Sequence, residues 1–143
     1  MKTTIFLFCS ASALITLVST QSRLFGPFLD AHNACQEDPS TRIVGNLMDM
    51  AAAGEAVDET ALGNHMLCMY LRLGIMSRSG RVNASRTIDL LTDVLNDRPG
   101  VSRAVHSCCG PRRPNETAQQ VATKLYLCVT RNLPGLSTVT PPA

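Results

Sequence analysis

Three residue types in this chain can carry chemistry, and all three are scarce. Among 143 residues there are six cysteines, three histidines and two tyrosines. Cys9 stands alone near the start, and Cys35, Cys68, Cys108, Cys109 and Cys128 follow. No pair has the C-x2-C spacing of a zinc ribbon, which argues against thiolate metal chemistry. His32, His65 and His106 lie in no recognisable nucleophile or metal motif. No catalytic residue, metal or cofactor is therefore implied. What remains for the thiols is cross-linking. Tyr70 and Tyr126 remain as groups that can hydrogen-bond a carbonyl or hydroxyl inside an apolar setting. His65 can serve as a pH-responsive group, since imidazole changes charge near neutrality, although a solvated histidine accounts for it as well.

The compartment decides how the thiols behave, and the first residues bear on it. Lys2 precedes an apolar run from Ile5 to Val18, followed by Ser19 and Thr20. A basic start, a short apolar stretch and small residues read as a secretory signal peptide over 1–20. The run falls short of the ~20 apolar residues of a membrane span, so no membrane anchor is expected. In an oxidising compartment disulfides are favoured over free thiols. Cys9 leaves with the leader, and the remaining five allow two bridges and one unpaired thiol. Asn83-Ala84-Ser85 and Asn115-Glu116-Thr117 match the N-glycosylation acceptor pattern, and each serves equally well as the start of a helix.

Composition narrows the partners. Hydrophobic residues make up 45%, charged residues 17%, and mean hydropathy is +0.08, too apolar for a disordered chain. A net charge of +2 with no tryptophan and 4% aromatic residues leaves neither a basic footprint nor a stacking platform for nucleic acid. Charge is uneven along the chain. Residues 30–59 hold seven acids and one base, and residues 60–131 hold ten bases and four acids. Such a split suits either docking of the two halves or a plainly solvated surface.

The elements that position these side chains read as helices throughout, since no segment alternates with a period of two for long enough to make a strand. A first helix is expected over Arg23–Cys35, with Pro27 in its first turns. Pro39 is expected to open a second, carrying Ile43, Leu47 and Met50. The third begins after Asp58 and stops at Gly74. Asn83 is read as the cap of a fourth, whose apolar stripe is Ile88, Leu91 and Leu95, widened by Leu90 and Val94. Pro99-Gly100 is read as the break before a short fifth helix ending near Cys108. Asn115 is read as the cap of a sixth reaching about Arg131. The expected architecture is one all-α domain over 21–131, with a loose tail over 132–143.

Cys35 near the end of the first helix, Cys68 inside the third, a cysteine ending the fifth and Cys128 in the sixth resemble the insect odorant-binding protein family. The stretch Cys68-Met-Tyr-Leu-Arg-Leu-Gly-Ile-Met, followed by Gly80 and Val82-Asn83, resembles that family's passage from its third helix into its fourth. The family's usual six cysteines are bridged first to third, second to fifth and fourth to sixth. Here Asn64 and Gln119 stand where the second and fifth would be, so one whole bridge is missing. That paired loss resembles the four-cysteine "Minus-C" subgroup.

The resemblance implies six short helices around an internal apolar cavity, clamped by Cys35–Cys68 and Cys108–Cys128, with Cys109 as the alternative partner of Cys128. Cys108 is preferred because it shares a helical face with Val101, Ala104 and Val105. It implies that Asn64 and Gln119 face each other and hydrogen-bond in place of the missing bridge. It also implies a cavity lined by Tyr70, Leu73, Ile75, Val82, Leu91, Val94, Ala122 and Tyr126. The methionines at 48, 50, 66, 69 and 76 suit an adaptable apolar lining, or simply fill the core. The function so implied is an extracellular carrier of small hydrophobic molecules, with an olfactory receptor or a second copy as a further partner. A secreted helical protein with a filled core, acting through a protein partner, is the alternative. Secreted phospholipases place their catalytic histidine after an adjacent cysteine pair, whereas His106 precedes this one. Plant lipid-transfer proteins need Cys-x-Cys and eight cysteines, which this chain lacks.

Overall fold

The computed structural model describes residues 14–136, with side chains from residue 25 onward. The first thirteen residues, and with them most of the expected leader, lie outside the described residues, as does the tail from residue 137. Six α-helices follow in order, α1 (Leu14–Glu37), α2 (Leu47–Ala52), α3 (Glu59–Leu73), α4 (Ala84–Leu95), α5 (Arg98–Cys108) and α6 (Ala118–Asn132), and a short 3-10 turn covers Pro134–Leu136. No strand occurs among the described residues; one isolated antiparallel bridge pairs Met76 with Val82 across the turn before α4. The all-α expectation is met.

Local chemistry explains both where the helices match the sequence reading and where they depart from it. The Asp58 carboxylate accepts from the Thr60 and Ala61 amides to start α3, and Gly74 ends it at φ +71°. Asn83 caps α4 through the Arg86 amide. The first helix is longer than expected, and Pro27 lies in its interior, not in its first turns.

Pro39 does not open a helix. Asp38 accepts from the Ser40 amide and hydroxyl, while the Gln36 carboxamide both donates to the Ile43 carbonyl and accepts from the Ile43 amide. Side chains thus capture the backbone groups a helix would need, and α2 shrinks to six residues. Pro99-Gly100 is not a break either. Asn96 ends α4 in the left-handed region, Asp97 caps the Gly100 amide, and Pro99 sits in the first turn of α5, where its missing N–H costs nothing. Finally, α6 is capped by Thr117 in a reciprocal capping box with Gln120, not by Asn115.

Both expected disulfides are present. Cys35–Cys68 joins α1 to α3 with Cα atoms 6.0 Å apart, and Cys108–Cys128 joins α5 to α6 at 5.7 Å. Cys109 is free and half-buried, and burial pushes its thiol pKa upward. The most extensive helix contact is α3 on α6, followed by α4 on α5 and α1 on α3. The core is one cluster that includes Leu62, Met66, Met69, Leu73, Ile75, Val101, Val105, Ala122 and Leu125. Leu133 belongs to it and Leu136 packs against it, so the chain just beyond α6 is held down.

The seven acids between residues 30 and 59 are all exposed, and the surface is the plain account of that charge imbalance. No described helix is long and apolar enough to cross a membrane.

Candidate functional site

Two tyrosines on the two most extensively packed helices organise the interior. Tyr70 on α3 is 7% exposed and Tyr126 on α6 is half-buried. The Tyr126 hydroxyl donates to the Met48 carbonyl at 2.8 Å and so ties α6 to α2. Burial raises its pKa to about 12. Burial, with Tyr126 nearby, raises that of Tyr70 further. Both phenols therefore stay protonated at physiological pH. Tyr126 has its one proton committed, whereas Tyr70 makes no hydrogen bond with any described residue. Tyr70 is thus a buried side chain of the core cluster whose hydroxyl pairs with no described residue.

Most of the other residues expected to line a cavity belong to the same core as Tyr70 or pack against it. Leu73, Ile75, Leu91 and Ala122 are buried in the same core cluster, and Val82 packs against it beside the Met76 bridge. Val94, near the C-terminal end of α4, is half-buried and lies outside the cluster. Among the methionines, Met66, Met69 and Met76 are buried, while Met48 packs against the cluster from outside. These soft, flexible side chains share the core cluster with Tyr70.

A histidine pair, not read from the sequence, stands beside the α1–α3 disulfide. His32 Nδ1 and His65 Nε2 are 3.0 Å apart, and His65 Nδ1 is 2.8 Å from the Thr41 carbonyl. A carbonyl can only accept, so the neutral His65 carries its proton on Nδ1 and presents a bare Nε2 to the His32 N–H. The relay joins α1, the loop after it and α3. His65 is fully buried, not solvated. The signal was hidden because the two residues are 33 apart in sequence, and only helix packing brings their rings together.

Burial lowers the pKa of both imidazoles below the usual 6.5, and the neighbouring imidazole lowers that of His65 further. The unfolded chain then binds protons that the folded chain refuses, so stability is complete above about pH 6.5 and declines as pH falls below it. The Asp38 and Glu116 carboxylates, held low by hydrogen bonds from Ser40 and from Lys124 respectively, add their own loss only at or below the ordinary carboxylate range. Urea unfolding at about pH 7 and about pH 5 should show a drop in stability that His65→Gln reduces. An equal drop in wild type and variant would remove the imidazole pair as its cause.

The expected Asn64–Gln119 bond is not formed. Gln119 packs instead against Gly63, where a Cβ would lie 3.0 Å from the Gln119 carbonyl oxygen and 3.0 Å from Thr123 Oγ1. Glycine lets the two backbones approach so closely that the neighbouring amides are not needed to hold the seam. Asn64 and Gln119 instead line an open cleft of about 760 Å³, with Glu116, Lys124 and the 113–117 loop. A second open cleft, of about 630 Å³, lies between α5 and the segment after α6. Neither contains any of the eight residues expected to line a cavity. No cluster of three or more metal-ligating side chains occurs among the described residues.

The fold and these residues define a class: a small all-α domain, cross-linked twice, with a buried phenol in an apolar, methionine-rich interior. Within that class the chain belongs to the PBP/GOBP family, whose model matches residues 20–132. This is a family of binding proteins for odorants and pheromones, not of enzymes. No curated protein and no solved structure matches the chain.

Proposed function

We propose that this chain is a secreted carrier that takes up small hydrophobic molecules reversibly among α3, α4 and α6 and moves them through aqueous fluid. The observation that carries this reading is Tyr70: a phenol in the apolar core, paired with no described residue, whose proton a ligand carbonyl or hydroxyl can accept. Leu73, Ile75, Leu91 and Ala122 supply the apolar walls, with Val82 and Tyr126 at their edge and Val94 the outermost of the set. Family membership supports secretion, with residues 1–20 as leader and 21–131 as the carrier domain. Two disulfides and the Asn64/Gln119 pair at the missing bridge fit the Minus-C subgroup.

Displacement of a fluorescent apolar probe by unlabelled ligands tests the reading directly. A carrier binds the probe saturably at micromolar concentration, whereas a solid bundle acting through a protein partner does not. Tyr70→Phe is expected to weaken ligands bearing a carbonyl or hydroxyl by about 2- to 12-fold, the equivalent of one net hydrogen bond of ~0.5–1.5 kcal/mol. Pure hydrocarbons should bind the variant as tightly as wild type. A uniform loss across both ligand classes would remove Tyr70 as the polar anchor.

A further inference from the structure

We propose that Asn115 is a modification site, the attachment point of an N-linked glycan. The inference rests on the secretory reading above, because the sugar is transferred only to chains that enter that pathway. Two segments carry the acceptor pattern, Asn83-Ala84-Ser85 and Asn115-Glu116-Thr117, and the fold treats them differently.

Asn83 is built into the start of α4. Its side-chain oxygen accepts from the Arg86 amide at 3.0 Å, its backbone N–H donates to the Ile75 carbonyl at 2.7 Å, and its carbonyl receives both the Thr87 amide and hydroxyl. The next two residues of that acceptor segment, Ala84 and Ser85, already lie in the helix.

Asn115 is displayed instead. Glu116 N–H donates to the Arg113 carbonyl at 3.2 Å, closing a four-residue turn with Pro114 second and Asn115 third at φ +66°. Proline at the second position with a positive φ at the third is the type II pattern, and asparagine is among the few non-glycine residues that accept it. The turn is anchored on both sides. The Arg112 guanidinium donates to the carbonyls of Glu116 and Ser79, and Lys124 holds the Glu116 carboxylate at 2.6 Å. Asn115 itself is exposed, and its carboxamide makes no hydrogen bond with a described residue. Attachment of a sugar to Nδ2 therefore breaks no hydrogen bond among the described residues, and the glycan leaves from the rim of the open cleft between α3 and α6.

The test expresses the full chain in insect cells, once behind its own first residues and once behind a heterologous secretion leader. Enzymatic release of N-glycans in heavy-oxygen water, followed by peptide mass spectrometry, reads each site on the exported protein. With the heterologous leader, Asn115 is expected to be converted to labelled aspartate in most chains. Asn115→Asp keeps a residue that tolerates the left-handed region and should abolish the glycan's mass shift. Asn83→Asp retains the cap and should leave that shift unchanged. Exported protein with no label at Asn115, or with label at Asn83 alone, overturns the proposal. Failure of export behind the chain's own first residues would count against the secretory reading and leave the acceptor result with the heterologous leader intact.

Discussion

Joint replacement of Cys35 and Cys68 by alanine is expected to lower the free energy of unfolding by about 3–4 kcal/mol, read from urea titrations under non-reducing conditions. The bridge closes 33 residues of chain between α1 and α3. In the chain-entropy account its removal returns that much freedom to the unfolded state. Replacing both partners avoids leaving a lone thiol at Cys35, which is fully buried.

The second bridge spans 20 residues. Its double alanine variant should cost about 0.4 kcal/mol less by the same logarithmic dependence on loop length. Cys109→Ser, which breaks no bridge, should stay within about 0.5 kcal/mol of wild type. A loss below about 1 kcal/mol for the first pair would mean that packing alone holds α1 in place. The bridge and the His32–His65 relay lie on the same pair of helices, so the cystine-free variant should also show a smaller stability difference between neutral and mildly acidic pH.

Gly63→Val is expected to destabilise the protein by about 1–3 kcal/mol. The introduced Cβ alone would lie 3.0 Å from a backbone oxygen of α6 and from Thr123 Oγ1, and 3.1 Å from the Gln119 Cβ. Backbone cannot move aside as a flexible side chain can. Alanine is the informative control, because in an open helix interior Gly→Ala stabilises by up to about 1 kcal/mol. At residue 63 that gain should be cancelled or reversed.

Thr123→Ala removes one of the three contacts along with a buried hydroxyl that has no partner among the described residues. It should therefore recover part of the loss when combined with Gly63→Ala, giving a non-additive pair. Additive behaviour, or a full stabilisation by Gly63→Ala alone, would show that the α3–α6 seam has room to spare. The functional consequence is direct: Tyr70 and Tyr126 stand on these two helices, so a seam forced apart should weaken ligand binding along with stability.

The sequence alone was informative wherever the determining physics is local or covalent. Helix starts at Asp58 and Asn83 and the stop at Gly74 were legible because a side-chain cap or a left-handed glycine acts within a few residues. The two disulfides were legible because the cysteine spacing resembles a known pattern. Even locally the reading failed where side chains compete for the same backbone groups, as when Asp38 and Gln36 took the amides of an expected helix and Thr117 displaced Asn115 as a cap.

Tertiary structure decided what depends on distant residues meeting. It joined His32 to His65 and spent the Tyr126 proton on Met48, while the Tyr70 hydroxyl meets no partner among the described residues. It also replaced an expected Asn64–Gln119 bond with the close approach at Gly63. Those outcomes turn on how helices settle against one another to within a fraction of an ångström. Residue type and periodicity set which face of a helix is buried, but not which atom on that face meets which partner.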